Sequence, residues 1–482
     1  MSVALLIIAG AFVGALLLGI RARAGREMSL EQWTVGGRGF GTMLVFLLMA
    51  GEIYTTFTFL GGSGWAYGKG GPAYYILCYL TLLYVVSYWL LPPIWRYAKE
   101  HRLFSQPDFF AAKYGSPTLG LVVALVGLVA LVPYLVLQLK GLGIIVSTAS
   151  YGAVPPTLAI LLGAAAVTAY VTVSGVHGSA WTAVIKDLMI LFVVLFLGIY
   201  LPLHYYGGFA AMFEAIEAAK PGFLALPERG QSPTWFASTT LLTALGGYMW
   251  PHVFVSIYTA GDARSFRRNA VLLPVYQLIL LFVLMVGFAA VLQVPGLTGA
   301  DVDLALFKLA LQSFPPWFVG VIGATGVLTA LVPGSMILMS GATLMANNVV
   351  RPLRPAATEA ETARLAKLCV PVLALVSVGV TLHGGETIVQ LLLMGYNFVT
   401  QLLPALVASL MRANPLTARG ALAGILVGVA AVAATSLGGL TLAGLFPFLP
   451  GPVQDINVGF VALALNLAAA GIVSRLDRPR RG

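Results

Sequence analysis

Residues 43–60 form an apolar run of membrane length, and Glu52 lies inside it. A charged side chain at the centre of a membrane helix costs about 2.5–3.5 kcal/mol on insertion scales. Packing does not repay that cost, so a chain that keeps Glu52 there uses it. Gly51 precedes the carboxylate and Gly61-Gly62 follow it, so the helix is easily broken on either side. An ionisable group on a breakable membrane helix marks an ion or substrate site.

The rest of the chain agrees. Of 482 residues, 59% are hydrophobic and 9% charged, against about 25% charged in soluble domains. The expectation is an all-α polytopic membrane protein. Spans of about 20 residues can be placed near 3–20, 40–62, 73–97, 118–148, 155–175, 179–203, 236–258, 270–294, 317–347, 367–383, 386–411, 419–445 and 457–474, about thirteen in all.

A formal charge of +10 could suggest nucleic acid, but its distribution says otherwise. With the N-terminus outside, 21 of the 27 lysines and arginines fall on the inner side, among them Arg21, Arg96, Arg264, Arg351 and Arg475. Only Lys69, Lys220, Arg229 and Lys308 fall outside, while Lys140 and Lys186 lie within spans. This positive-inside bias predicts an N-out, C-in protein of the cell (inner, cytoplasmic) membrane, and no nucleic-acid partner. The first span reads as a membrane helix rather than a cleaved signal, since its arginines follow the apolar core. Cys78 and Cys369 sit singly in spans and read as packing residues. The segment 358–364 reads as a short amphipathic connector helix.

A repeat is visible. The span near 236–258 is interrupted by Gly246-Gly247 and Pro251, with His252 behind the break. It lies five spans after the interrupted helix that carries Glu52. Two broken helices in corresponding positions predict two inverted five-helix repeats, 40–203 and 236–411, around a midplane site. Residues 1–25 then supply a peripheral helix, and 412–482 two further helices and a basic tail.

Four segments carry a resemblance to a known family: 59–68, Tyr170 through Lys186, Gly247 through His252, and 326–350. In order and spacing they resemble the sodium:solute symporter family over roughly 40–411. Residues 52–59 and 133–138 look most like its permeases for short monocarboxylates. The resemblance implies the LeuT-type fold and alternating access. It also implies a sodium site built from backbone carbonyls of the first core helix and two adjacent hydroxyl residues of the eighth. Here the carbonyl positions are Gly51 and Tyr54, and the hydroxyl positions fall on Val332 and Pro333, near Thr329 and Ser335. Valine and proline offer no side-chain oxygen to a hard cation. Ser335 could serve only by a register shift. The family's aspartate after Trp-Thr is Ala183 here, and its glutamine is Lys186.

A cation is therefore gained where sodium ligands are lost. Lys186, beside Asp187, could stand in for Na⁺, and Lys186 or Glu52 could carry a coupling proton. The expectation is a secondary active symporter of a small organic solute, a short monocarboxylate, with coupling to H⁺ or at least independent of Na⁺. The alternatives are a Na⁺-coupled symporter of an amino acid or sugar, and a transporter-like sensor. No cofactor is expected beyond a bound H⁺ or Na⁺; the expected partners are the solute and the bilayer, with the oligomeric state left open. The absence of HExxH, CxxC and Walker A patterns argues against an enzyme or an ATP-driven pump.

The expected substrate contacts are Thr55, Thr56 and Thr58 at the first break and Tyr248, Trp250 and His252 at the second. Tyr396, Asn397, Thr400 and Gln401 add to them, on one face of the tenth core helix. His177, in an inner turn at 175–179, reads as structural, and Lys140 as a lysine snorkelling to the outer surface.

Overall fold

The computed structural model describes residues 3–436 and 438–478. Arg480 and Arg481, counted above in the basic tail, lie outside them. The principal helices are α1 (Val3–Arg23), α2 (Thr42–Ile53), α3 (Gly62–Lys69), α4 (Tyr75–Glu100), α5 (Gln106–Tyr114), α6 (Pro117–Ala149), α7 (Pro156–Tyr206) and α8 (Pro233–Gly246). They continue as α9 (Pro251–Thr259), α10 (Arg264–Gln277), α11 (Ile279–Gln293), α12 (Pro316–Thr343), α13 (Glu359–His383), α14 (Ile388–Val399), α15 (Ala418–Ser436) and α16 (Val458–Asp477). The described residues contain no strand, only one isolated parallel bridge between Phe40 and Ala260.

Among the described residues, ten helices are long and apolar enough to cross a membrane, or eleven if the bent pair Thr42–Ile53 and Phe57–Lys69 is one span. Thirteen is reached by dividing α7 and by joining α8 to α9. The division falls at Gly175, whose φ of 54° and ψ of −152° break the helix. A side chain there would also meet Trp33 O at 2.6 Å. The expected turn over 175–179 is thus one residue. The expected connector at 358–364 is instead the first two turns of α13, opened by a capping box between Thr358 and Glu361. The penultimate span stops at Ser436 rather than 445.

Both expected breaks are present. α2 ends at Tyr54 (φ −77°, ψ 81°), and the chain resumes through a π-helical turn, Phe57–Gly61, bent by 50°. Threonine hydroxyls take over the freed amides. Thr58 Oγ1 accepts from Thr55 N at 2.9 Å, and Thr55 Oγ1 accepts from Phe57 N at 3.0 Å. At the second break α8 tightens through Gly247–Met249, and Trp250 is extended. Pro251 then opens α9, where its missing N–H costs nothing. Long apolar helices enclose both breaks; α12 is buried almost throughout.

Candidate solute and coupling site

Lys186 is fully buried on α7 and points at the first break. Its Nζ donates to Gly51 O at 2.8 Å and to Tyr54 O at 2.9 Å. These are carbonyls that the end of α2 leaves without helical partners. Asp187 Oδ1 stands 2.9 Å from the same nitrogen, an ion pair between adjacent residues. Of the three ammonium protons, two go to the carbonyls; Asp187 is an ion-pair neighbour whose two oxygens are buried without a hydrogen-bond partner. Gly51 permits the approach: a Cβ there would lie 3.3 Å from both Lys186 Nζ and Ala183 Cβ.

The hydroxyl side of the expected sodium site is occupied otherwise. Val332 and Pro333 are buried in α12. Ser335 does not shift register: its Oγ is 2.6 Å from Val332 O and 2.7 Å from Ser179 Oγ. Thr329 Oγ1 donates to Gly326 O at 2.6 Å, within its own helix.

Glu52 lies one residue beyond Gly51 and lines a cavity between the two breaks, within electrostatic reach of Lys186. Ser256 Oγ, on α9, donates to Glu52 Oε1. Tyr134 OH, on α6, donates to the Glu52 backbone oxygen at 3.1 Å. The cavity is small, about 30 Å³, room for a water-sized group rather than an open channel. Besides Glu52 its polar and aromatic lining is Tyr84, Tyr134, Tyr248, Trp250, His252 and Tyr396. His252 Nδ1 is buried there without a partner. Rings pack edge-on around it, with Tyr134 at 5.2 Å from the His252 ring and Tyr396 at 5.3 Å from Trp250. No lysine or arginine lines the cavity.

Of the expected substrate contacts, Tyr248, Trp250, His252 and Tyr396 line this cavity. The three threonines do not. Thr55 and Thr58 cap the break, and Thr56 Oγ1 donates to Gln138 Oε1 at 2.8 Å. Asn397 and Gln401 also turn elsewhere. Gln401 Nε2 donates to Asn397 O and Gly459 O, each at 3.1 Å, so these side chains meet α16. Thr400 Oγ1 bonds back to Tyr396 O at 2.7 Å. The tenth core helix changes to a 3-10 turn at Thr400–Leu402, so the shared face expected of 396–401 is split. Ser256 and Tyr84 escaped the sequence reading, because a serine and a tyrosine in an apolar helix carry no signal without their neighbours.

Lys140 is no snorkelling lysine. Its Nζ lies 2.8 Å from Asp303 Oδ2, a fully buried carboxylate, and donates to Glu386 O at 2.7 Å. Asp303 Oδ2 also accepts from Ile388 N at 3.0 Å. The lock joins α6, the turn Gly299–Leu304 and the start of α14 on the face opposite the arginine-rich loops. His177 packs as a structural residue, within 2.7 Å of Arg26 and 3.1 Å of Gln32.

Two broken helices beside a small, aromatic-lined cavity define a membrane transporter with the LeuT-like fold. The sodium:solute symporter family pattern matches residues 33–428, and the chain belongs to that family. It is similar to an uncharacterized symporter, YhjB, of Bacillus subtilis (strain 168), with 63% identity over 99% of this chain and 98% of that one. It is 31% identical to a monocarboxylate transport permease protein of Rhizobium johnstonii, over 93% of this chain and 90% of the other. Among solved structures it resembles a substrate-bound, outward-open Na⁺-coupled sialic acid symporter, with a TM-score of 0.82, 15% identity and 99% of each chain covered. That likeness carries the fold. The protein is a multi-pass symporter of a small solute and not an enzyme.

Proposed function

We propose that this symporter moves a short monocarboxylate together with a proton, independently of Na⁺, across the cell membrane, with its arginine-rich face in the cytoplasm. Lys186 serves as a permanent internal cation in place of sodium, and Glu52 carries the coupling proton. The observation that carries the reading is the Lys186 ammonium on Gly51 O and Tyr54 O, where the family's ion would need oxygens.

The division of labour follows from charge balance. Lys186 is balanced by Asp187 and held by two carbonyls, so it has reason to stay. Among the described residues, Ser256 is the one side-chain hydrogen-bond partner of Glu52, which lines the cavity within electrostatic reach of Lys186. A carboxylate solute in a cavity without a cation would be repelled by an ionised Glu52. Two carboxylates at one site are stable only when they share a proton. Solute and proton therefore bind together, with Glu52 supplying the shared proton and His252, Trp250 and the tyrosines supplying polar contacts. The 31% relative's description as a monocarboxylate permease supports the solute class.

The test is uptake of radiolabelled lactate, pyruvate and propionate into proteoliposomes, with Na⁺ and H⁺ gradients imposed separately. Accumulation driven by an inward H⁺ gradient alone is expected. Accumulation that needs Na⁺ and ignores the pH gradient would overturn the proposal.

A further inference from the structure

The second break leaves an orphan of its own. In an unbroken helix the amide of Val253 would reach Met249 O, but here it donates to Trp250 O at 3.1 Å. The Met249 carbonyl is buried, where an unmet acceptor is costly. Gln106 meets it: Gln106 Nε2 donates to Met249 O at 2.7 Å, and the whole side chain is buried. Its other amide atom, Oε1, is buried without a partner. The glutamine therefore spends its donor on one carbonyl and gains nothing else, which a packing residue would not do.

What holds Gln106 matters as much as what it holds. It is the first residue of α5, whose N-terminus is fixed by a capping box between Ser105 and Asp108. Asp108 in turn accepts from Asn348 Nδ2 at 2.6 Å and Asn347 Nδ2 at 3.1 Å, on the π-helical turn that ends α12. Ser105 Oγ adds a contact to Asn348 Oδ1 at 2.8 Å. Tyr114 OH, at the far end of α5, donates to Ala405 O at 2.7 Å. So α5 is bolted to α12 and to the end of the tenth core helix. It reaches the second broken helix through Gln106 to Met249 and through Tyr258 OH to Ser105 O at 3.3 Å. Trp250, the next residue after Met249, lines the cavity.

We infer that Gln106 is a positioning residue that ties the cavity wall at Met249-Trp250 to α5 and holds the arginine-rich face shut until the second break shifts. This links the state of the cavity to the gate on that face. The inference rests on the cavity being the solute site, but not on any choice of solute or coupling ion.

The experiment needs no solute. In a Cys78→Ala/Cys369→Ala background, Ser340→Cys reports opening on the arginine-rich side. Ser340 is buried on α12 with an unbonded hydroxyl, so cysteine fits there. Val302→Cys reports the opposite side. Each is labelled with a membrane-impermeant maleimide from its own face, in oriented vesicles. Gln106→Leu is expected to raise labelling at Ser340→Cys about fivefold, one net hydrogen bond's worth, and leave Val302→Cys labelling unchanged or lower. Gln106→Met, which keeps the length of the side chain and has no donor, is expected to behave alike. No change at Ser340→Cys would overturn the inference. An equal rise on both faces would also overturn it, since Gln106 would then be only a packing residue. Because lactate is absent throughout, failure here is separable from failure of the proton-coupled reading.

Discussion

The side-chain nitrogen of Lys186 rests 2.8 Å from the backbone oxygen of Gly51, a residue 135 positions earlier in the chain. One covalently attached charge thus completes a broken helix on a different element. The first prediction follows from removing it. Lys186→Met leaves two buried carbonyls unmet, at about 1–3 kcal/mol each, and strands Asp187, at about 3–5 kcal/mol. The variant is expected to melt well below wild type and to transport nothing. Lys186→Met/Asp187→Asn should recover about half of the lost stability, the share due to the stranded carboxylate, and none of the uptake. Recovery of uptake as well would assign the pair a purely structural role.

A sodium site can be rebuilt on the same logic. Lys186→Ala clears the space, and Val332→Ser with Pro333→Ser restores hydroxyl oxygens on α12. The triple variant is expected to show thermal stabilisation by Na⁺ and not by K⁺, an effect absent from wild type. Identical melting in both salts would count against the idea that Lys186 stands where a cation would bind.

Glu52→Gln removes the exchangeable proton and keeps the Ser256 contact within reach. Lactate-lactate exchange is expected to persist within about tenfold of wild type, while uphill accumulation driven by a pH gradient disappears. Loss of both activities in a folded variant would make Glu52 a binding group only. Ser256→Ala should shift the pH dependence of uptake without abolishing it.

The Lys140–Asp303 lock has a pH dependence with a definite sign. Burial pushes the Asp303 carboxyl above the ordinary aspartate range, with the Lys140 ammonium pulling the other way. A raised carboxyl takes its proton at higher pH, and the protonated form gives up the ion pair. The lock should therefore loosen as the pH on its own face falls towards mild acidity. Labelling of Val302→Cys, normalised at each pH to the denatured protein because the thiolate is the reacting form, is expected to rise on acidification in wild type. In Asp303→Asn it should be high and flat across the same range. A wild-type response as flat as the variant's would remove the lock from the cycle.

The broken helices were legible because glycine pairs and a proline punctuate membrane-length apolar runs at equivalent places. Lys186 was legible because a cation replaces a glutamine where sodium ligands vanish. The threonines at 55, 56 and 58 misled, since their hydroxyls serve the unwound backbone rather than the cavity. No periodicity rule separates those two uses. Asn397 and Gln401 misled for another reason: α16 packs against them, and its position is set by long-range packing that a local pattern does not encode. Asp303 was invisible because its significance lies in Lys140, 163 residues away.

A tethered ammonium has no dissociation constant. A diffusible ion at this position would be half-bound at some concentration, and the transporter's speed would follow the salt content of its surroundings. In the proposed cycle Lys186 is present at every turn, so the first broken helix would fold in the same way whether the medium is rich or poor in sodium. The cost is that ion release can no longer time the reopening of the site. In the proposed proton-coupled cycle that timing passes to Glu52, whose proton would come and go with the cargo.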